Sequence, residues 1–191
     1  MKSEASKWNA RYAYSGRGIP PPAQVLSRGV RWLPEVDAQV SPQTAEAPRA
    51  LDLACGRAAN GQFLADRGFK VSAWDISENV IQEIRTRNPF VLEEALVRDV
   101  STHPPEPDSF DVIVVSRFLD RKLCSAISGA LKPQGVLFYQ TFVHGLSNPD
   151  YLLAPNELLS LFSDLHVLEY HEPEKDVNGK AEAQFVGMRK R

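Results

Sequence analysis

Cysteine is scarce: Cys55 and Cys124 are the only two in the chain. They cannot build a disulfide framework or a four-ligand zinc site. A surplus of charge of one sign is also missing. Lys plus Arg is 22 and Asp plus Glu is 24, a formal net charge of −2. The basic bias of an electrostatic nucleic-acid binder is therefore absent, although a local basic patch stays open. No apolar run reaches the roughly 18 residues of a membrane span. The opening Met1 to Lys7 has no apolar core, so no signal peptide is read. The four histidines, His103, His144, His166 and His171, show no metal-ligand spacing. What is present is an ordinary globular mix, 43% apolar and 24% charged in 191 residues. That describes a soluble, cytoplasmic domain of α/β size. Proline is the one excess, with 14 in all, gathered at 20–48 and 104–107.

The pattern along the chain predicts an N-terminal helical arm and proline-rich linker over 1–48, then one domain over 49–191. Trp8 and Tyr12 share a face of a first helix. A second helix is predicted over 23–33, with Val25, Leu26, Val30 and Leu33 as its stripe. Strands are predicted at 50–54, 70–75, 90–97, 110–116, 135–142, 166–171 and 183–188. Helices are predicted over 60–67, from Ser77 onward, and over 123–131 and 155–162. Alternation of this kind implies a mostly parallel sheet, with helices on both faces. The turn signal Asn178-Gly179 makes the last two strands a hairpin, which adds an antiparallel strand at the end.

In open α/β sheets ligands sit beyond the carboxyl ends of the strands. Those ends here carry Asp52 to Gly56, Asp75, Asp99, Ser116 to Asp120, and Phe142 to His144. The spacing Gly56-x-Ala58-x-x-Gly61 is near the dinucleotide fingerprint, with Ala where the second glycine stands. Asp52 just before the loop would repel a diphosphate and attract a cation. Asp75 lies 19 residues after Gly56, the usual place of an acid that binds ribose hydroxyls. Acids at adjacent strand ends suit a ligand with a sugar, an amine and a positive centre but no phosphate. S-adenosylmethionine has that make-up.

Asp52 to Gly61, Trp74-Asp75-Ile76-Ser77, Phe110 to Leu119 and Leu131 to Gly135 resemble the successive motifs of class I S-adenosylmethionine-dependent methyltransferases. Lys7-Trp8-Asn9-Ala10-Arg11-Tyr12 resembles the tellurite-resistance and thiopurine methyltransferase-like branch. The resemblance spans about residues 7 to 190. It implies a Rossmann-like, seven-stranded, mostly parallel sheet with the last strand antiparallel. It also implies S-adenosylmethionine as cofactor, with Asp52, Ala54 and Gly56 at its methionine end. Asp75 would bind the ribose, Ile76 would pack on adenine, and Asp99 with Val100 would take the adenine amine. Ser116 would line the methionine side, and Arg11 would reach the cofactor carboxylate. Trp8 and Tyr12 would close over the site and, with Arg117, Phe118 and Gln140, face the acceptor.

Three positions depart from the pattern: Ala58 for a second glycine, Asp120 where relatives often have His, and Gln140 where Glu is common. Gln134 replaces a glycine at a turn. Methyl transfer is an in-line displacement that alignment alone can drive, so no triad is needed. If the acceptor must lose a proton, His144 and Asp120 are the candidate bases. Arg117 and Arg121 would hold an anionic acceptor or pair with Asp120 and nearby acids. Cys124 reads as core, and Cys55 as a small residue for a tight turn. The expected activity is methyl transfer to a small-molecule acceptor, without nucleic acid, membrane or metal, by a monomer or homodimer. The alternatives are a non-catalytic relative that keeps the fold for binding and, from the glycine spacing alone, a nicotinamide-dependent oxidoreductase.

Overall fold

Phe110–Ser116 is apolar at nearly every position, which suits a strand covered on both faces. The computed structural model places it as β4 in the middle of a seven-stranded sheet. The structure describes residues 3–14, 18–36, 47–87, 93–145, 148–173, 179 and 181–191. The other strands are β1 (Arg49–Leu53), β2 (Lys70–Asp75), β3 (Glu94–Val97), β5 (Leu131–His144), β6 (His166–His171) and β7 (Ala181–Met188). Their order is β3-β2-β1-β4-β5-β7-β6. All pairings are parallel except those of β7, which runs antiparallel to both β5 and β6. The last strand, β7, is antiparallel as expected, and it inserts between β5 and β6, leaving β6 at the edge. The turn read at 178 lies outside the described residues.

The helices are α1 (Glu4–Tyr14), α2 (Gln24–Arg28), α3 (Ala59–Ala65), α4 (Glu78–Arg87), α5 (Cys124–Ala130) and α6 (Glu157–Leu161). Strand alternation sorts the core into two layers. Leu51, Leu53, Ile113, Val115, Leu137 and Tyr139 face Ile127, Leu158 and Phe162 of α5 and the α6 segment. Ala50, Val112, Val114, Val136 and Phe138 face Val25 and Leu26 of α2 and Leu64 of α3. No described helix is long and apolar enough to cross a membrane.

The helix predicted over 23–33 breaks at Gly29, and a short 3-10 turn follows at Val30–Trp32. A Cβ on Gly29 would stand 2.7 Å from the Val25 carbonyl and 2.8 Å from the Phe138 ring, so the chain turns where it meets the sheet. Val30, predicted as part of the apolar stripe, is consequently exposed. Leu131, read as the end of a helix, is instead the first residue of β5. The described part of β3 is shorter than predicted, since 90–92 lie outside the described residues.

Candidate active site

The strand order reverses between β1 and β4, so the cleft opens at their carboxyl ends. The loop that leaves β1 is wound by left-handed residues at alternate positions: Ala54 (φ 54°), Gly56 (φ 51°) and Ala58 (φ 56°). Ala58 begins α3 but has no side chain to cap it. Asp52 supplies the cap. Its carboxylate accepts from the Gly61 N–H at 2.8 Å and from Asn60 Nδ2 at 3.3 Å. Asp52 is 1% exposed. Burial pushes its carboxyl up to about 7, against the pull of these two donors. A carboxyl group thus already occupies the N–H donor at the N-terminus of α3, where a dinucleotide would seat its pyrophosphate. Ala58 is 2% exposed and packs with Cys55, Ala73, Val80, Ile81 and Ile84. Its methyl belongs to the core, so the departure from glycine at this position puts no Cβ into the cleft.

Asp75 ends β2 beside this loop. One oxygen accepts from the Gly56 N–H and the other from the Ser77 N–H, both at 2.9 Å. Burial raises the Asp75 carboxyl, and its backbone donors hold it down. Ile76 is half-buried next to it. After β3, Asp99 accepts from the Ser101 N–H at 3.0 Å and its hydroxyl at 2.6 Å, which folds 99–103 into a turn. Arg98 clamps that turn by donating to the His103 and Pro104 carbonyls, and its guanidinium lies 4.0 Å from the Trp74 ring centre. Val100 is buried beneath it. A cavity of about 460 Å³ lies outside this turn, between 102–107 and α5, away from the glycine loop.

At the end of β4, Ser116 and Phe118 are half-buried. Arg117 is left-handed (φ 57°), and its Nε donates to Glu182 at 2.6 Å. Gln140 was predicted to face the acceptor. Instead it is 4% exposed, its Oε1 accepting from the Val25 N–H at 2.9 Å and its Nε2 donating to Glu182. A side chain pinned at both ends cannot turn toward a ligand. Arg121 donates to Glu157 and to the Asp150 and Leu152 carbonyls, stapling 150–157 rather than facing the cleft. Asp120 caps the 3-10 turn Arg121–Leu123 by accepting from the Lys122 N–H at 3.0 Å. His144 is half-buried at the end of β5.

α1 lies across these strand ends. Asn9 Oδ1 accepts from the Ser77 hydroxyl at 2.7 Å and from the Asn79 N–H at 3.2 Å, capping α4 from outside. Lys7 donates to the Tyr151 hydroxyl at 2.9 Å, beyond β5. Between these moorings the Tyr12 hydroxyl stands over Gly56, 2.8 Å from where a Cβ would be. Trp8 packs on Tyr12 with ring centres 6.2 Å apart, and Arg11 lies on the Trp8 ring at 5.1 Å. Arg57 reaches the Tyr12 ring at 5.5 Å and pairs with Glu83 at 2.9 Å. Among the described residues no group of three or more His, Cys, Asp or Glu gathers as a metal site.

Sequence reasoning missed Asn9, Asn60, Glu83 and Glu182. Asn60 joins the Asp52 cap to the Ala23 N–H at 2.8 Å, seating the start of α2 against the loop. A polar residue early in a predicted helix was the only signal for it. Glu182 carried none, because its place depends on where β7 inserts.

Residues 50–135 match the family profile described as a methyltransferase domain. No curated protein matches the sequence. TehB from Haemophilus influenzae shares 24% identity with a TM-score of 0.64, over 76% of this chain and 59% of that one. A SAM-dependent methyltransferase from Methanosarcina mazei shares 20% with a TM-score of 0.62, over 77% and 94%. A phosphoethanolamine N-methyltransferase of Haemonchus contortus, in complex with phosphomonomethylethanolamine and S-adenosylhomocysteine, shares 15% with a TM-score of 0.67, over 96% and 57%. The chain therefore spans less than two thirds of the length of the first and third of these. At these identities the three establish a common fold.

Proposed function

We propose that this chain, whose residues 50–135 match a methyltransferase-domain profile, is a class I methyltransferase that transfers a methyl group from S-adenosylmethionine to a small-molecule acceptor. The observation that carries the reading is the Asp52 cap. It closes the α3 N-terminus to a pyrophosphate with the acid of β1 itself, while Asp75 ends β2 and Asp99 follows β3. That arrangement disfavours a nicotinamide dinucleotide and fits a cofactor with a ribose and a cationic centre but no phosphate. When bound, S-adenosylmethionine supplies a methyl carbon on a sulfonium, whose C–S bond breaks as the acceptor's lone pair arrives.

The chain's own residues do the holding. Each Asp75 oxygen accepts one backbone N–H and keeps a lone pair for a ribose hydroxyl. Ile76 and Val100 offer apolar surfaces to the adenine, and Asp99 an acceptor for its amine. Ala54, Gly56 and Ser116 surround the methionine end, while Asp52, expected there, is buried and holds the start of α3 through Gly61 and Asn60 instead of reaching the ligand. Trp8 and Tyr12 cover the site from α1 and exclude water, which makes alignment effective. Phe118 lies on the acceptor side, and His144 and Asp120 are the groups there that can take a proton. Both cysteines are free thiols, as a reducing cytoplasm keeps them, and we place the protein there.

Calorimetric titration with S-adenosylhomocysteine tests the reading. The expected result is a micromolar site, about −8 kcal/mol. Absence of heat at that affinity overturns it.

A further inference from the structure

The Arg117–Glu182 pair is built asymmetrically. The Glu182 side chain is only 14% exposed, whereas that of Arg117 is 61% exposed. Both carboxylate oxygens of Glu182 are held: Oε1 by Arg117 Nε and Oε2 by Gln140 Nε2. The Gln140 amide has no freedom to flip, because its oxygen must accept the Val25 N–H. The carboxylate is therefore the fixed partner and the guanidinium the movable one. β7 runs antiparallel, so its first residues arrive at the carboxyl ends of β4 and β5, with Glu182 opposite Phe142 and Gln140 opposite Ser116. The Arg117 guanidinium also lies 5.9 Å from the Phe142 ring centre. A carboxylate, an amide that orients it and an aromatic face together form a seat for a cation. Arg117 sits in it.

We infer that Glu182 and Phe142 form the recognition site for an ammonium group of the acceptor, and that Arg117 occupies this seat until the acceptor displaces it. The inference rests on the methyltransferase reading and names its substrate class as an amine. An arriving anion would meet the mostly buried Glu182 carboxylate behind Arg117. If Arg117 left with an anion, that carboxylate would stay uncompensated, which is costly. An arriving cation replaces one charge partner by another. Arg117 can leave because its side chain is exposed and, among the described residues, Glu182 is its one ion-pair partner. Glu182 is here a specificity-determining residue rather than a base, since its carboxylate is fixed by Gln140 and serves to hold the acceptor's charge. Gln140 is a positioning residue that acts through it.

The test titrates protein saturated with S-adenosylhomocysteine with three probes of one shape: benzylamine, benzyl alcohol and benzoate. The expected result is benzylamine binding about tenfold or more tighter than the alcohol, with benzoate weakest. Glu182→Gln is expected to erase the preference for the amine while leaving S-adenosylhomocysteine affinity unchanged. Arg117→Gln is expected to tighten benzylamine by about threefold or more, because the internal competitor is gone. Weaker benzylamine binding in Arg117→Gln, a preference for benzoate, or no binding of benzylamine overturns the inference. Circular dichroism checks that Glu182→Gln is folded. Should it not fold, the sign of the Arg117→Gln effect decides alone. A protein that shows these signs but takes no S-adenosylhomocysteine overturns the methyltransferase reading. One that takes S-adenosylhomocysteine without them overturns the ammonium seat only.

Discussion

Asp52 and Gly61, nine positions apart, are joined by a 2.8 Å hydrogen bond that closes the first turn of α3 from beneath. The strand end thus supplies what Ala58 lacks. The loop after β1 is held by a carboxylate whose ordinary charge is opposed by its burial.

That opposition gives stability a pH dependence. Asp52 titrates near 4 in the unfolded chain and at about 7 in the folded one. A raised carboxyl binds its proton more tightly in the folded state. Its contribution is therefore full below about pH 4, declines as pH rises to about 7, and is flat beyond. Asp52→Asn keeps an acceptor for Gly61 but cannot titrate. Denaturant unfolding of both proteins from pH 4 to 8 is expected to show the wild type losing stability relative to Asp52→Asn as pH rises from about 4 to about 7, with no further change beyond. The slope of this loss is expected to stay below about 1.4 kcal/mol per pH unit. Parallel curves would refute the assignment.

Gly56 is expected to be intolerant of alanine for two separable reasons. Its left-handed backbone costs a Cβ-bearing residue about 1–2 kcal/mol. The new Cβ would also meet the Tyr12 hydroxyl at 2.8 Å. Thermal unfolding of Gly56→Ala should show the sum. In a Tyr12→Phe background the loss should be smaller, since the ring carbon bearing the hydroxyl lies 3.8 Å away, in ordinary contact. An identical loss in both backgrounds would mean that Tyr12 does not stand over the loop.

Asp75→Ala should weaken S-adenosylhomocysteine binding by at least ~1 kcal/mol, the scale of lost hydrogen bonds to a charged group. Calorimetry measures it. Unchanged affinity would show the ribose site to be misassigned.

Asn9 holds α1 to α4 through the Ser77 hydroxyl and the Asn79 N–H. Losing a cap of this kind costs about 0.5–2 kcal/mol. Asn9→Ala should therefore speed tryptic cleavage after Lys7 and Arg11 by roughly fivefold if the cost is ~1 kcal/mol. Cleavage at the wild-type rate would show that the mooring holds nothing.

The parallel part of the sheet was legible because β4 is apolar at almost every position and because Asp52, Asp75 and Asp99 follow three strands in order. Those signals are local. Gly29 was not legible as a break, since its reason is the Phe138 ring, more than a hundred residues away. Gln140 was noticed as an unusual residue at a strand end. Its commitment to Val25 and Glu182 depends on two elements whose packing the local pattern does not encode. The side of the loop that the Ala58 methyl takes was not legible for a similar reason: spacing locates the loop, but packing against Val80, Ile81 and Ile84 decides which way the methyl points.

The insertion of β7 between β5 and β6 also orders events in time. A ribosome delivers β5 some forty residues before the strand that will lie against it. Until then the edge from Val136 to Phe142 is open, and most of it is apolar. A nascent chain in that state is a template for pairing with its neighbours. Because Glu182 rides on β7, the acceptor side of the cleft is assembled by the same late step that closes this edge.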